Sequence, residues 1–235
     1  MVQDVSKLIS QLNDLNNRNT IDVSLYGVRK TSVRKLTVGQ LKRLILPATE
    51  DLLSPLEFQI NLFNVLQEIA VSLDFDTVNY LDKNSIIFSL KLDETKEEQY
   101  KTIVDRYDVV AFVGGYFNTE VVKDGVKVVL RVPSLAVENK FNLMLRNVYG
   151  KGVTDRKTYI NDTFTVEIAK FVKSVEMGGE SVDFSVLSFE DVIKVVNGLT
   201  CLQEIQQFIT KLRDDETKLN TVNGVEVSVS PALFI

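Results

Sequence analysis

Histidine is absent from all 235 residues, and that one absence removes a large part of enzyme chemistry. No Ser-His or Cys-His pair can activate a nucleophile, and no imidazole can bind a metal or move protons near neutral pH. Tryptophan is missing too, and a single cysteine, Cys201, excludes an intramolecular disulfide and any multi-cysteine zinc site. With no histidine to activate it, the thiol reads as a small apolar residue on a helix face. No stretch approaches the roughly 18 unbroken apolar residues of a membrane span. The opening residues MVQDVSKLIS carry an early acid and no long apolar run, so they do not read as a secretory leader. These absences lead us to expect a protein folded in a reducing cytosol, with no cofactor, no metal and no membrane among its partners.

What is present is ordinary for a globular protein. An apolar share of 45% and a charged share of 25% suit a packed soluble domain, and the length allows one large domain or two small ones around a real core. A net charge of −5 argues against a surface that wraps nucleic acid over its whole extent. One segment departs from that balance: Val23 to Thr49 holds no acidic residue but six cations, Arg29, Lys30, Arg34, Lys35, Lys42 and Arg43.

Local patterns divide the chain into short elements. Val5, Leu8, Ile9, Leu12 and Leu15 recur at helical spacing until the Asn16–Asn19 cluster. Ile21, Val23 and Leu25 alternate with polar residues as in a half-buried strand, the stretch Tyr26–Lys30 reads as its turn, and Thr31–Leu36 as the return strand. Thr37-Val38-Gly39-Gln40 has the form of a capping box, predicting a short helix from Val38 that ends before Pro47. Ser54-Pro55-Leu56-Glu57 predicts another start, with Ser54 as the cap and a helix running to about Leu73. Leu81–Leu92 suits a buried helix by its length and a strand by its tail; we expect helix. Lys96–Tyr107 is charged and reads as a loop with a short helix.

Further on, Val109–Val113 is an apolar run ending at Gly114-Gly115. Asp124-Gly125 between β-branched runs is a hairpin signal, closed by Pro133. Leu135–Tyr149 reads as a helix and Gly150–Asp155 as an exposed loop. Thr163–Val175 is expected to form one helix broken by Gly178-Gly179. Ser188 caps the next helix, which ends near Gly198, and Leu202–Leu212 carries a third. Asn223-Gly224 predicts a small C-terminal hairpin, and the apolar end Leu233-Phe234-Ile235 should dock into the core or into a partner. The expected fold is α+β, mostly helical with small antiparallel hairpins: N-terminal, central Asp-Gly and C-terminal Asn-Gly. The organisation is either two parts, 1–106 with the strand pair and 107–235 with the central hairpin and C-terminal helices, or one continuous domain.

Few groupings suggest chemistry. The paired glycines lack the spacing of a dinucleotide or phosphate loop and read as turns, and the single lysine of Gly150-Lys151-Gly152 is a weak phosphate signal. Asp74, Asp76 and Asp82, and separately Asp214, Asp215 and Glu216, would support Mg²⁺ binding or acid–base work only if they converged; solvated helix ends and loops account for them otherwise. In the basic segment, Arg34 and Lys35 fall on opposite faces of the strand, Lys42 and Arg43 sit where cations suit a helix C-terminus, and no aromatic residue follows Tyr26 for base stacking. A solvated face fits better than a nucleic-acid site, which stands as the alternative function for residues 29–43; an acidic protein neighbour lies between the two.

The order of elements resembles that of the T4-type bacteriophage baseplate hub and hub-assembly chaperone proteins. The resemblance rests on the N-terminal strand pair with Lys35–Leu44, on Tyr80–Ile87, and on the Asp124-Gly125 hairpin ending in Val132-Pro133-Ser134. It continues through Ala169–Val175, Val182–Ser185 and the Phe234 end, though family members often carry a longer aromatic C-terminus. It implies a non-enzymatic structural or assembly protein that binds other baseplate or hub proteins, or itself, in the host cytoplasm and the virion tail. No catalytic residue comes with the resemblance. The contact candidates are Lys42 and Arg43 with Leu233, Phe234 and Ile235.

Overall fold

The computed structural model describes residues 5–25, 29–46, 52–95, 98–109 and 119–234. Residues 26–28 of the expected Tyr26–Lys30 turn, the stop at Pro47, the run from Val110 through Gly114-Gly115 and the terminal Ile235 lie outside them. Arg29 and Lys30, expected in that turn, already pair with Leu25 and Ser24 as strand, so the return strand is Arg29–Arg34 instead of Thr31–Leu36. Helix α1, Val5–Arg18, leads into a two-stranded antiparallel hairpin of β1, Thr20–Leu25, and β2, Arg29–Arg34. Val23, Leu25 and Val33 are buried on one face of that pair, while Asp22 and Ser32 hydrogen bond on the other at 2.7 Å, as period-two alternation requires.

Helix α2, Val38–Ile45, opens with the expected capping box: Gln40 N donates to Thr37 Oγ1, and the Gln40 side chain accepts from Thr37 N at 2.9 Å. Helix α3, Ser54–Ile69, begins one residue earlier than its motif predicts. Ser54 is its first helical residue, Leu53 stands at the cap with no side-chain hydrogen bond, and the helix stops at Ile69 instead of Leu73. The following turns run to α4, Asp82–Thr95, which settles the 81–92 stretch as helix. Helix α5, Glu98–Val109, is a full helix where the charges suggested mainly loop. It holds because Tyr100, Ile103 and Tyr107 form a buried stripe under the charged face.

The central sheet is four-stranded and antiparallel, in the order β3-β4-β5-β6. Strands β3, Glu120–Lys123, and β4, Val126–Leu130, meet at Asp124 (φ 50°) and Gly125 (φ 78°), the left-handed pair that a two-residue turn demands. Two antiparallel helices then intervene, α6 at Leu135–Tyr149 and α7 at Arg156–Phe171, before β5 at Val172–Met177 pairs with β4 and turns into β6 at Glu180–Asp183. The expected single helix from Thr163 to Val175 is therefore corrected: it stops at Phe171. Val172 is extended there (φ −90°, ψ 123°), and Val172–Met177 joins the edge of β4. Gly178 and Gly179 make the β5–β6 turn, both at positive φ.

Val121, Val128, Val175 and Val182 line up across all four strands on one face. The other face carries Glu120, Lys127 and Glu176, with Lys127 bridging both acids at 3.0 and 3.4 Å. Helix α8, Phe189–Asn197, is capped by Ser188, and α9, Leu202–Asn220, runs on eight residues past Leu212. A small hairpin of Thr221–Val222 (β7) and Val225–Glu226 (β8) turns at Asn223-Gly224. A 3-10 turn at Pro231–Phe234 follows and packs on α2. Among the described residues this is the mostly helical α+β fold expected. Its buried side chains, from Val23 and Phe58 through Phe88, Phe141 and Phe184 to Phe234, form one continuous apolar cluster.

Candidate functional site

Several charged side chains gather at a cavity of ≈ 270 Å³ between the N-terminal ends of α4 and α6 and the C-terminal halves of α7 and α9. Its position is set by backbone. The loop before α4 is stitched to the start of α6 by Tyr80 N to Pro133 O (3.0 Å), Leu135 N to Val78 O (2.9 Å) and Ala136 N to Phe75 O (3.0 Å). Into this frame four helices project charge. Lys83 Nζ donates to Glu138 Oε1 (3.0 Å), Glu138 Oε2 (3.2 Å) and Gln59 Oε1 (3.0 Å). Lys170, with only 6% of its surface exposed, donates to Asn142 Oδ1 at 2.9 Å and to Glu167. Arg213 reaches Glu167 from the rim at 3.6 Å.

Glu216 lines the same cavity and feels the charge of Lys83 only at a distance. It accepts from Asn84 Nδ2 at 2.7 Å, and burial holds its carboxyl above the usual glutamate range despite that bond. Tyr80 stands edge-on to Phe171 with ring centroids 6.1 Å apart, and burial first, then the nearby Glu216, drives its phenol far above the ordinary tyrosine range. A buried amine left unpaired would be costly. Each lysine here keeps a carboxylate and an amide oxygen, so the network is an internal scaffold joining α4, α6 and α7, closed on its far side by α9.

The second place is the end of the molecule where α2 meets the final 3-10 turn. Arg43 grips Glu68 of α3 with both terminal nitrogens, one bond 2.7 Å long, and Gln40 Nε2 adds a third donor to Glu68 at 3.0 Å. The guanidinium bonds hold the Glu68 carboxyl below its usual range. Both side chains remain over 40% exposed, so the pair contributes no more than about 1 kcal/mol. Lys42 is exposed beside it, and Leu233 is half-buried. Phe234 is buried at 5% exposure, its ring centroid 6.2 Å from that of Phe58. The fold thus brings Lys42 and Arg43 into one neighbourhood with Leu233 and Phe234, residues nearly two hundred positions away; Ile235 lies outside the described residues.

The acidic clusters noted in the sequence do not act as units. Asp74 closes a turn by accepting from Asp76 N at 3.1 Å, and Asp82 is buried and accepts from Asn79 N at 3.0 Å. Asp215 pairs with Lys218 at 2.9 Å on the surface, while Glu216 alone turns inward to the cavity. Among the described residues no three His, Cys, Asp or Glu side chains gather as a metal group. Cys201 is buried at the start of α9, and burial pushes its thiol up. Sequence reasoning missed the cavity because its walls come from five helices, α3, α4, α6, α7 and α9, and from the segment at β8. The one local trace is charge inside an apolar run, as at Ala169-Lys170-Phe171, where all three residues are buried.

A family model described as T4 bacteriophage base plate protein matches residues 77–230, well over half of the chain. Every cavity-lining residue except Gln59 falls inside that span, whereas α1, the basic segment and Phe234 fall outside it. No curated protein and no solved structure matches the chain.

Proposed function

Because this chain belongs to the T4 bacteriophage base plate protein family, we propose that it serves the central hub of a contractile-tail base plate. In this reading it is a non-enzymatic structural or assembly protein that acts through contacts with other base plate proteins. The family match carries the reading, and the resemblance of the Lys35–Leu44, Asp124-Gly125 and Ala169–Val175 segments to hub and hub-assembly proteins supports the finer assignment. The protein meets its neighbours in the host cytoplasm as the tail is built and takes its place in the virion tail.

The contact surface we favour is the end built by α2 and the C-terminal turn. Lys42 and Arg43 supply charge that orients a neighbour, and Leu233 and Ile235 supply the apolar centre that such an interface needs. Phe234, expected from the sequence as a contact, is instead buried against Phe58 and anchors the turn in the subunit's own core. Arg43 serves here through the guanidinium edge left open by Glu68. The test is capture from infected cells with the full chain as bait. Tail and base plate proteins should be recovered, and Lys42→Glu with Leu233→Asp should lower their yield. Recovery of no tail protein would overturn the hub reading. A competing role of residues 29–43 on nucleic acid would instead show as duplex binding that falls steeply with log salt and weakens in Arg34→Ala and Lys35→Ala.

A further inference from the structure

Helix α1 is unusual in this fold because none of its residues is buried. Its apolar stripe faces outward: Val5 is 63% exposed, Leu8 53%, Ile9 52%, Leu12 49% and Leu15 61%. A helix of this length has little stability of its own in water, and packing of an apolar face usually supplies the rest. The stripe therefore needs a cover that the described residues do not provide. Positions 5, 8, 12 and 15 follow the alternating three-and-four spacing of a coiled-coil seam, and Ile9 widens the seam on one side.

We propose that α1 pairs with α1 of a second copy of this chain, antiparallel, and so makes the protein a dimer. Three observations select that occupant. The stripe is palindromic in spacing, so running it backwards places Val5 against Leu15 and Leu8 against Leu12 of the second copy, and the reverse. That reciprocity is what a two-fold interface requires. The charges on the helix are few and mixed in sign, Lys7, Asp14 and Arg18, with Ser, Asn and Gln filling the rest of the polar face. A second copy meets no block of like charge, and antiparallel packing opposes the two helix dipoles. A lipid surface is the poorer cover, since a membrane-lying helix carries a polar face rich in Lys and Arg. Covering five half-exposed apolar side chains on each copy removes on the order of 1,000 Å² in total, the lower edge of a specific protein–protein interface.

The association is correspondingly reversible, and it rests on residues outside the span shared with the family. Sedimentation equilibrium of the full chain across the micromolar range should show a monomer–dimer equilibrium. Leu12→Glu should weaken it at least about tenfold, and Leu8→Glu likewise, since a charge in a dry seam is poorly tolerated. Neither change touches a buried residue, so both variants should keep the melting temperature of the isolated subunit. Val186→Glu, at a site 79% exposed elsewhere on the surface, should associate like the parent. A parent chain that stays monomeric at every concentration overturns the proposal. So does dimerisation unchanged in both leucine variants, or α1-dependent binding of a different base plate protein by a monomer. Capture of tail proteins in the hub test is read separately and is unaffected by any of these results.

Discussion

Replacing Phe234 by alanine should lower global stability by about 3 kcal/mol, although the residue is the last but one of the chain. A buried phenylalanine withdraws roughly 150–250 Å² from water, worth about 4–6 kcal/mol at ~25 cal/mol per Å². Residual burial in the denatured chain trims that figure, and measured Phe→Ala losses in cores run at about 3–5 kcal/mol. The lower end applies here, because Phe234 sits in a four-residue 3-10 turn at the edge of the core, which can relax toward Phe58. For a chain of this size, ~3 kcal/mol corresponds to a fall in melting temperature of about 6–12 °C. Urea unfolding and calorimetry measure the two quantities independently, and Phe234→Leu should recover most of the loss. A melting temperature within ~2 °C of the parent, with an unchanged urea midpoint, would refute the reasoning. The ring would then contribute nothing to the subunit's core and would be available to a neighbour.

Three further outcomes follow from the same structure. Glu216 keeps its proton to higher pH in the folded chain than in the unfolded one, so the folded state binds more protons once pH rises above the usual glutamate range. Its effect is therefore a loss of stability as pH climbs from there through the raised value; Glu216→Gln should flatten that slope, and identical slopes would exclude the buried carboxyl as its source. Thr37→Ala removes the hydroxyl that accepts from Gln40 N, while the N–H of residue 37 can still donate to the Gln40 side chain, and should cost about 1 kcal/mol in urea unfolding. If 1–106 and 107–235 are one continuous domain, calorimetric and van't Hoff enthalpies should agree in a single transition; two resolved transitions would divide the chain.

What could be read in advance was local chemistry. Asp124-Gly125, Asn223-Gly224, Thr37 with Gln40, and Ser188 all act within four residues of themselves, and each forms the turn or cap its motif demands. The larger failures share one cause, contacts distant in sequence. Val172–Met177 continues the apolar pattern of α7 and becomes strand only because β4 offers an edge from more than forty residues upstream. Ser54 yields the cap to Leu53, since the helix starts a residue early. The cavity was illegible for the same reason: Lys83, Lys170 and Glu216 are unremarkable charges until α4, α7 and α9 bring them together. The approach of α2 to the final turn, which brings Lys42 and Arg43 near Leu233, was equally invisible in the sequence.

The helical pair α6–α7 between β4 and β5 carries a consequence for the order of folding. The β3–β4 and β5–β6 hairpins can each close alone, with turns of two residues. Their union, Leu130 opposite Val172, must wait until the chain between them has doubled back. The helical pair is thus a clamp whose closure delivers one hairpin to the other, and the sheet inherits its cooperativity from a helix interface. Loosening that interface where Tyr149 meets Tyr159 edge-on, with ring centroids 5.0 Å apart, should slow the zipping of strands that neither tyrosine belongs to.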